Sequence, residues 1–185
     1  TGEIESFSKP LEAKPKFQIS MAPELEAWIL SFENKLVALD PMKLEVLWTQ
    51  SLTDPIKGAV SVVGKSMFVS THAGKILKLD GVKKGRTEWE VDLPQPPVSA
   101  PTYLPIMAKV VVMDDKGGIQ MVDGKTGKTS WRTVTENHND LKEPWSTRVK
   151  GAVIMEAQME WTHRGWTVWS PCSKNRFCIY SPAKG

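Results

Sequence analysis

The chain has 185 residues, 41% of them hydrophobic and 24% charged, which is the composition of a folded globular protein and not of a disordered one. Its 24 basic and 21 acidic residues are mixed along the sequence, so the net charge of +3 gives no stripe of one sign for binding nucleic acid. No apolar run is long enough for a transmembrane helix, and the first residues lack the basic-then-apolar layout of a signal peptide.

The predicted elements recur along the chain with a period of about 40 residues, which is typical of repeat architectures. A turn residue followed by an apolar strand is found at 34–40, 74–80, 117–123 and 175–181. The first three copies end in aspartate, and a tryptophan follows eight or nine residues later, giving the pairs Asp40 and Trp48, Asp80 and Trp89, and Asp123 and Trp131. Two apolar strands precede each copy, at 17–20 and 28–32, 59–63 and 67–70, 98–103 and 110–113, and 151–155 and 167–170.

Each unit therefore predicts four antiparallel strands separated by turns rich in Gly, Pro and Asp. Between aspartate and tryptophan the third copy has Gly127, and the second has Gly85 one position later, because glycine supplies the positive φ of a tight turn. The first copy has Leu44 at this place, so we expect its turn to be built differently.

The repeat resembles that of the pyrroloquinoline-quinone-type, or quinoprotein-like, β-propeller family, which typically runs Ala-Leu-Asp, then Thr-Gly-Lys, then Trp. The nearest matches are 38–40 with Trp48, and Asp123 with 126–128 and Trp131. The resemblance covers roughly residues 14–185 and implies an all-β propeller, or part of one, of about four four-stranded antiparallel blades. It also implies a structural role in blade docking for the three aspartates and the three tryptophans of the repeat.

The fourth unit is longer than the others, which predicts an insertion near 135–164. Long loops often carry function, so His138, Trp145 and Trp161 are candidates for a partner-binding loop. His138 could also ligate a metal, although a solvated surface is the commoner use of such residues, and no metal site is predicted.

The two ends of the chain each look like half of one repeat. Residues 182–185 begin a turn without the tryptophan strand that should follow, and Thr1 to Phe7 begin as that missing half would. Residues 1–13 are therefore predicted to be a linker or a closing strand. Of the two explanations, a fragment, or a chain completed by a protein partner or a second copy, is favoured over closure by the N-terminal strand.

No catalytic constellation is evident in the sequence, which has no nucleophile elbow, phosphate loop or zinc-protease motif. It also lacks the adjacent cysteine pair of some quinone-dependent dehydrogenases and a recognisable calcium set, so no cofactor is expected. The resemblance to outer-membrane assembly lipoproteins and to lumenal sensor domains favours a non-catalytic protein-interaction or assembly scaffold. The alternatives are a fragment of a quinone-dependent dehydrogenase or a ligand- or carbohydrate-sensing domain.

The sequence does not fix the compartment, although the resemblance slightly favours the periplasm or the lumen of the secretory pathway over the cytoplasm. Cys172 and Cys178 flank a predicted turn and could form one disulfide across a hairpin if their Cα atoms lie about 4.4–6.8 Å apart. Two unpaired thiols are the alternative.

Overall fold

The computed structural model describes residues 11, 13–98, 100–113, 118–134, 158–162, 165–172 and 176–180. They form four antiparallel sheets in chain order, which we call blades 1 to 4. Blade 1 contains β1 (Ser20–Ala22), β2 (Ala27–Ser31), β3 (Lys35–Leu39) and β4 (Val46–Ser51). Blade 2 contains β5 (Ser61–Val63), β6 (Ser66–Ser70), β7 (Lys75–Asp80) and β8 (Arg86–Asp92). Blade 3 contains β9 (Thr102–Leu104), β10 (Lys109–Met113), β11 (Gly118–Asp123) and β12 (Thr129–Val134). Blade 4 contains β13 (Gln158–Thr162), β14 (Gly165–Cys172) and β15 (Arg176–Tyr180).

The middle strands are apolar on both faces because the blades stack face to face. One core cluster fills the space between blades 1 and 2, including Ile29 and Leu36 from blade 1 and Met67 and Leu79 from blade 2. A second cluster joins blade 2 to blade 3 through residues such as Phe68. The fourth strands β4 and β8 lie at the outer edge and are largely exposed.

The first strands of successive blades lie next to one another, since β1 contacts β5 and β5 contacts β9. Sheets that meet along their first strands and stack through their faces have the arrangement of propeller blades. The prediction of an all-β propeller or partial propeller of about four antiparallel blades is confirmed. Blades 1 to 3 have four strands each, and blade 4 has three strands within the described part of the chain.

The first strands of blades 1 to 3 are shorter and begin later than the sequence predicts, at Ser20, Ser61 and Thr102. The connections that lead into these strands contain prolines, at Pro15, Pro55 and 96–97, which donate no backbone hydrogen bond to a ladder. Each connection instead makes one bond to the end of the second strand, from Lys16 N to Ser31 O at 2.7 Å, from Lys57 N to Ser70 O at 2.8 Å, and from Val98 N to Met113 O at 3.0 Å.

In blade 4 the strand that pairs with β14 is β13, at Gln158–Thr162. These residues fall inside the predicted insertion at 135–164, whose residues 135–157 lie outside the described residues, as does the strand predicted at 151–155. β13 was not predicted from the sequence, although Met159 and Trp161 alternate there with polar residues in the period-two pattern of a strand.

Candidate functional site

Blades 1 to 3 share one turn between their third and fourth strands, which we call the aspartate turn. The aspartate accepts two backbone N–H groups through one carboxylate oxygen at 2.8–3.3 Å, from Met42 and Lys43 to Asp40, from Val82 and Lys83 to Asp80, and from Lys125 and Thr126 to Asp123. This is how aspartate commonly stabilises a turn. The N–H groups of Lys43 and Met42 hold the pKa of Asp40 below its ordinary value.

The other two aspartates are also held ionised. Lys109 donates to Asp123 at 2.9 Å and, together with the N–H of Thr126, lowers the pKa of Asp123. Burial raises the pKa of Asp80, but the hydrogen bonds from Lys83 and Val82 outweigh it, so that the net shift is downward. Carboxylates held ionised in this way are poor proton donors, so the aspartate turns build the fold and do not supply an acid catalyst.

We expect Asp123→Asn to lower Tm at pH 7, because the amide cannot attract Lys109 as the carboxylate does. The pKa of Asp123 is lower in the folded state than its ordinary value of 3.8, so this stabilisation is fully present above about pH 4 and is lost as the pH falls further. Thermal melts from pH 7 to pH 2 should therefore show the gap between variant and wild type shrinking below pH 4. Glu45→Gln, at an exposed position, is the control, and a gap that stays constant with pH would contradict the assignment.

A β-bulge follows each aspartate turn on the fourth strand. The pairing register skips one residue there, so that the residue before each repeat tryptophan has no partner, and these residues are Leu47, Glu88 and Ser130. A bulge of this kind re-aims the next side chain. It places Trp48 opposite Ala38, Trp89 opposite Lys78 and Trp131 opposite Met121, which is the same register in all three blades.

The repeat tryptophan of one blade contacts the aspartate turn of the next blade. A methyl group on Gly85 would lie 3.1 Å from the ring of Trp48, and one on Gly127 would lie 2.9 Å from the ring of Trp89. Both glycines also have positive φ, at +79° and +72°. Glycine is therefore required at these positions for two reasons, the turn and the approach of the ring.

A second contact joins blades 1 and 2 nearer their first strands. Leu25 lies in the 3-10 turn Pro23–Leu25 between β1 and β2, and packs against Gly81, the residue after Asp80. A methyl group on Gly81 would overlap the Leu25 side chain. The contact was not predicted, although Gly81 directly after the repeat aspartate was a signal that could have led to it.

The corresponding position in blade 1 is an open cavity of about 630 Å³. Pro41 stands there in the place of Gly81, because each directly follows the repeat aspartate. Trp28 stands in the place of Met67, because each pairs with the leucine before that aspartate, Leu39 or Leu79. Met67 is fully buried, whereas Trp28 is half-buried. The cavity is lined by Met21, Ala22, Pro23, Glu26, Ala27, Trp28, Asp40, Pro41, Met42 and Lys43. No described residue fills it as Leu25 fills its counterpart.

Exposed apolar side chains are concentrated in and beside blade 1. Met21 and Met42, on the cavity wall, are 72% and 88% exposed. The large hydrophobic residues that are exposed in the described part of the chain are Ile19, Met21, Met42, Val46, Leu47 and Val82, and Val82 is the member that lies in blade 2. An exposed apolar patch at a cavity is typical of a protein-binding surface. We call Met21, Trp28, Pro41, Met42 and the cavity between them the blade 1 cavity site.

Chemistry-bearing side chains are not brought together in the described ranges, where no three His, Cys, Asp or Glu residues form a metal-binding group. His72 lies exposed in a turn, and its pKa is lowered by desolvation and by the charges of Lys57 and Lys16. Glu33 opposes this shift, and the exposed position of His72 in a turn is that of a surface residue.

The remaining predicted residues are placed as follows. His138 and Trp145 lie outside the described residues, whereas Trp161 lies on β13 opposite Trp166 and not in a loop. In the β14–β15 hairpin, Cys172 is opposite Arg176 and Cys178 is opposite Ser170, so the two cysteines are two positions out of register. Diagonal pairs in a sheet are typically about 7–8 Å apart, which is longer than a disulfide usually spans, and the bond stays a prediction.

A family model described as outer membrane protein assembly factor BamB matches residues 26–185. Among solved structures, BamB from Moraxella catarrhalis is 23% identical with a TM-score of 0.55, and the match covers 68% of this chain and 37% of that one. Sqt1 from Saccharomyces cerevisiae is 12% identical with a TM-score of 0.65, covering 88% of this chain and 45% of that one. A europium-containing methanol dehydrogenase is 18% identical with a TM-score of 0.50, covering 59% of this chain and 23% of that one.

At these identities the structural matches show the fold alone. The chain spans less than half the length of each of these three solved structures. No curated protein matches the chain in sequence. Within the described residues, no helix is both long and apolar enough to span a membrane.

Proposed function

We propose that this chain, which belongs to the family of the outer membrane protein assembly factor BamB, is a non-catalytic scaffold that binds another protein at the blade 1 cavity site. The observation that carries the proposal is the open cavity with Met21 and Met42 exposed on its wall, at a position that on blade 2 is filled by Leu25 of blade 1. A protein that buries an aliphatic side chain in that cavity would cover the methionines. Methionine suits such a surface because its unbranched side chain adapts to the shape of a partner.

The expected partner is a protein loop that presents a leucine, isoleucine or methionine. The contact of Leu25 with Gly81 is an example of an aliphatic side chain that packs against the residue after the repeat aspartate. Pro41 and Trp28 in blade 1 make the receiving surface broader and more apolar than Gly81 does, and Lys43 and Glu26 at the rim can pair with polar groups of the loop. A second copy of the chain could present such a loop, and the experiment below distinguishes that case by mass.

The family description places BamB in the assembly of outer membrane proteins, so we propose an extracytoplasmic site of action, at the inner side of an outer membrane. This agrees with the preference for the periplasm or a secretory lumen that the repeat indicates. A fusion of the chain, in its natural reading frame, to a reporter that is active only outside the cytoplasm tests this point, and a purely cytoplasmic signal would contradict it.

The binding prediction is tested with a photoreactive residue in place of Met42. Lys125 is the matched control, because it occupies the same position of the aspartate turn in blade 3 and is also exposed. We expect one discrete adduct from position 42 and none from position 125, with the attachment peptide of the partner carrying an aliphatic residue. With that partner purified, Met42→Asp should weaken Kd at least tenfold and Lys125→Asp should leave it within about twofold, because the aspartate must be desolvated at an apolar contact.

An adduct with the mass of two chains would identify a second copy as the partner. Equal adducts from positions 42 and 125 would contradict a specific surface in blade 1. The rival enzymatic function is tested separately by adding pyrroloquinoline quinone with calcium or a lanthanide ion. Saturable quinone binding followed by dye reduction with an alcohol or a sugar would refute the non-catalytic assignment.

A further inference from the structure

We infer that the partner loop carries a lysine beside its aliphatic residue, and that the ammonium group of this lysine pairs with the carboxylate of Asp40 in the blade 1 cavity site. The inference rests on the proposed function and adds to it the charge of the partner. It follows from two oxygen atoms on the cavity wall. Neither has a partner among the described residues, whereas their counterparts in blades 2 and 3 do.

The first of these atoms is the backbone carbonyl oxygen of Glu26. In blades 2 and 3 the glycine after the repeat aspartate donates its N–H to the carbonyl of the residue just before the second strand. These bonds, both 2.8 Å long, run from Gly81 to Lys65 and from Gly124 to Ala108. Glu26 likewise comes just before β2, but the residue after its repeat aspartate is Pro41, which has no N–H to donate. No other residue in the described part of the chain donates to Glu26 O.

The second atom is the carboxylate oxygen Oδ2 of Asp40. Oδ1 of each repeat aspartate accepts the turn amides, and Oδ2 in blades 2 and 3 pairs with a lysine. These pairs are Lys83 with Asp80 at 3.2 Å and Lys109 with Asp123 at 2.9 Å. Lys109 begins the second strand of its blade, and the residue that begins β2 is Ala27, which has no ammonium group. Lys43, the counterpart of Lys83, lines the cavity but forms no ion pair with Asp40.

A partner that covers the cavity removes both oxygen atoms from water. The amides of Lys43 and Met42 hold the pKa of Asp40 below its ordinary value, so the carboxylate is ionised at neutral pH. Burying an ionised carboxylate without a cation is costly, and so is burying a carbonyl oxygen without a donor. A purely apolar loop would therefore bind weakly, and a complementary loop brings a cation for Asp40 and an N–H group for Glu26 O.

Lysine fits this place for two further reasons. The charged residues that line the cavity are Glu26, Asp40 and Lys43, two acidic and one basic, which leaves an excess of one negative charge. Lysine is also the cation that pairs with the repeat aspartate in both of the other blades. Its aliphatic stem can lie along the apolar walls of the cavity while the ammonium group reaches the carboxylate.

The test is a titration with two short peptides. One is the capped tetrapeptide glycine-leucine-lysine-glycine, and the other has norleucine in place of lysine, which removes the ammonium group. With ¹³C in the methionine methyl groups, the signals of Met21 and Met42 report on the cavity by NMR. We expect both signals to shift saturably, with a Kd at least five times lower for the lysine peptide than for the norleucine peptide.

Variants then assign the difference to one carboxylate. Asp40→Asn keeps an oxygen for the turn amides and removes the charge, so the two peptides should bind it with equal Kd. Asp80→Asn makes the same change in blade 2 and should leave the wild-type ratio of the two Kd values in place. Lys43→Met should also keep the lysine peptide at least five times tighter, and a loss of this preference would identify Lys43 as the cation and overturn the inference.

The outcomes separate this inference from the function on which it rests. Equal Kd values for the two peptides on the wild-type protein would refute the lysine and leave apolar binding at the cavity in place. A preference for the lysine peptide that survives Asp40→Asn would refute the pairing with Asp40. If neither peptide shifts the signals of Met21 and Met42, both the proposed binding and this inference are wrong.

Discussion

Gly127→Ala is expected to lower the free energy of unfolding by about 2–6 kcal/mol, although it adds a single methyl group. About 1–3 kcal/mol comes from forcing alanine into the left-handed region, since Gly127 has a φ of +72°. A further 1–3 kcal/mol comes from overpacking, because the methyl carbon would lie 2.9 Å from the ring of Trp89 on the neighbouring blade. Denaturant unfolding followed by tryptophan fluorescence measures the change.

Gly74→Ala is the matched control for this substitution. Gly74 also has positive φ, at +84°, but the nearest atom to its added methyl group is the carbonyl oxygen of Leu93, at 3.7 Å. Gly74→Ala therefore causes strain in the left-handed backbone but no steric overlap, so it should lower the free energy of unfolding by about 1–3 kcal/mol. If both variants lose the same free energy of unfolding, the methyl group added at position 127 has no steric cost against the ring of Trp89. The contact between blades 2 and 3 would then be weaker than the geometry indicates.

The period of the repeat was predictable from sequence because each aspartate turn is a local structure. Asp80 and Asp123 bond to amides two and three residues ahead, so the residues that specify the turn are adjacent in the chain. The apolar strands before each turn are likewise visible as short runs of β-branched and aliphatic residues. These local patterns were sufficient for the fold class, the order of the strands and the family.

Contacts between blades were harder to predict, because their partners are distant in sequence and one partner is often glycine. Leu25 and Gly81 are 56 residues apart, and although Gly81 directly follows the repeat aspartate, nothing in its local sequence indicates that Leu25 is its partner. The blade 1 cavity site was missed for the same reason. It is recognised only when the surroundings of Pro41 are compared with those of Gly81 in three dimensions. Trp161 was assigned to a loop because the predicted insertion at 135–164 extended over β13, a strand of five residues whose alternating pattern is a weak signal by itself.

The chemistry of the described residues favours a structural role over a catalytic one. Among the described acidic groups, the aspartates of the repeat turns have a lowered pKa, and each shift is explained by turn amides or by a lysine. Perturbed carboxylates often mark active sites, but ion-pair and turn networks shift pKa values in the same way. What distinguishes blade 1 from blades 2 and 3 is instead its exposed apolar surface, on which the binding function proposed above rests.

Trp89→Ala is expected to lower the free energy of unfolding by about 3–5 kcal/mol, the usual range for removing a large aromatic side chain from a core. The ring lies between blades 2 and 3, with its centroid 6.0 Å from that of Phe68, and it packs against Gly127. Its indole nitrogen is buried without a hydrogen-bond partner. Trp89→Phe should therefore cost much less than Trp89→Ala, because it removes an unsatisfied N–H group while keeping an aromatic ring.

Combining Trp89→Ala with Gly127→Ala gives the sharpest result, because the two residues are expected to couple. Once the ring is gone, the methyl group of alanine at 127 has space, and only the backbone strain remains. The added cost of Gly127→Ala in the Trp89→Ala background should then fall to that of Gly74→Ala, a coupling of about 1–3 kcal/mol. Strict additivity in the same unfolding experiment would show that the two blades are held together by contacts other than this one.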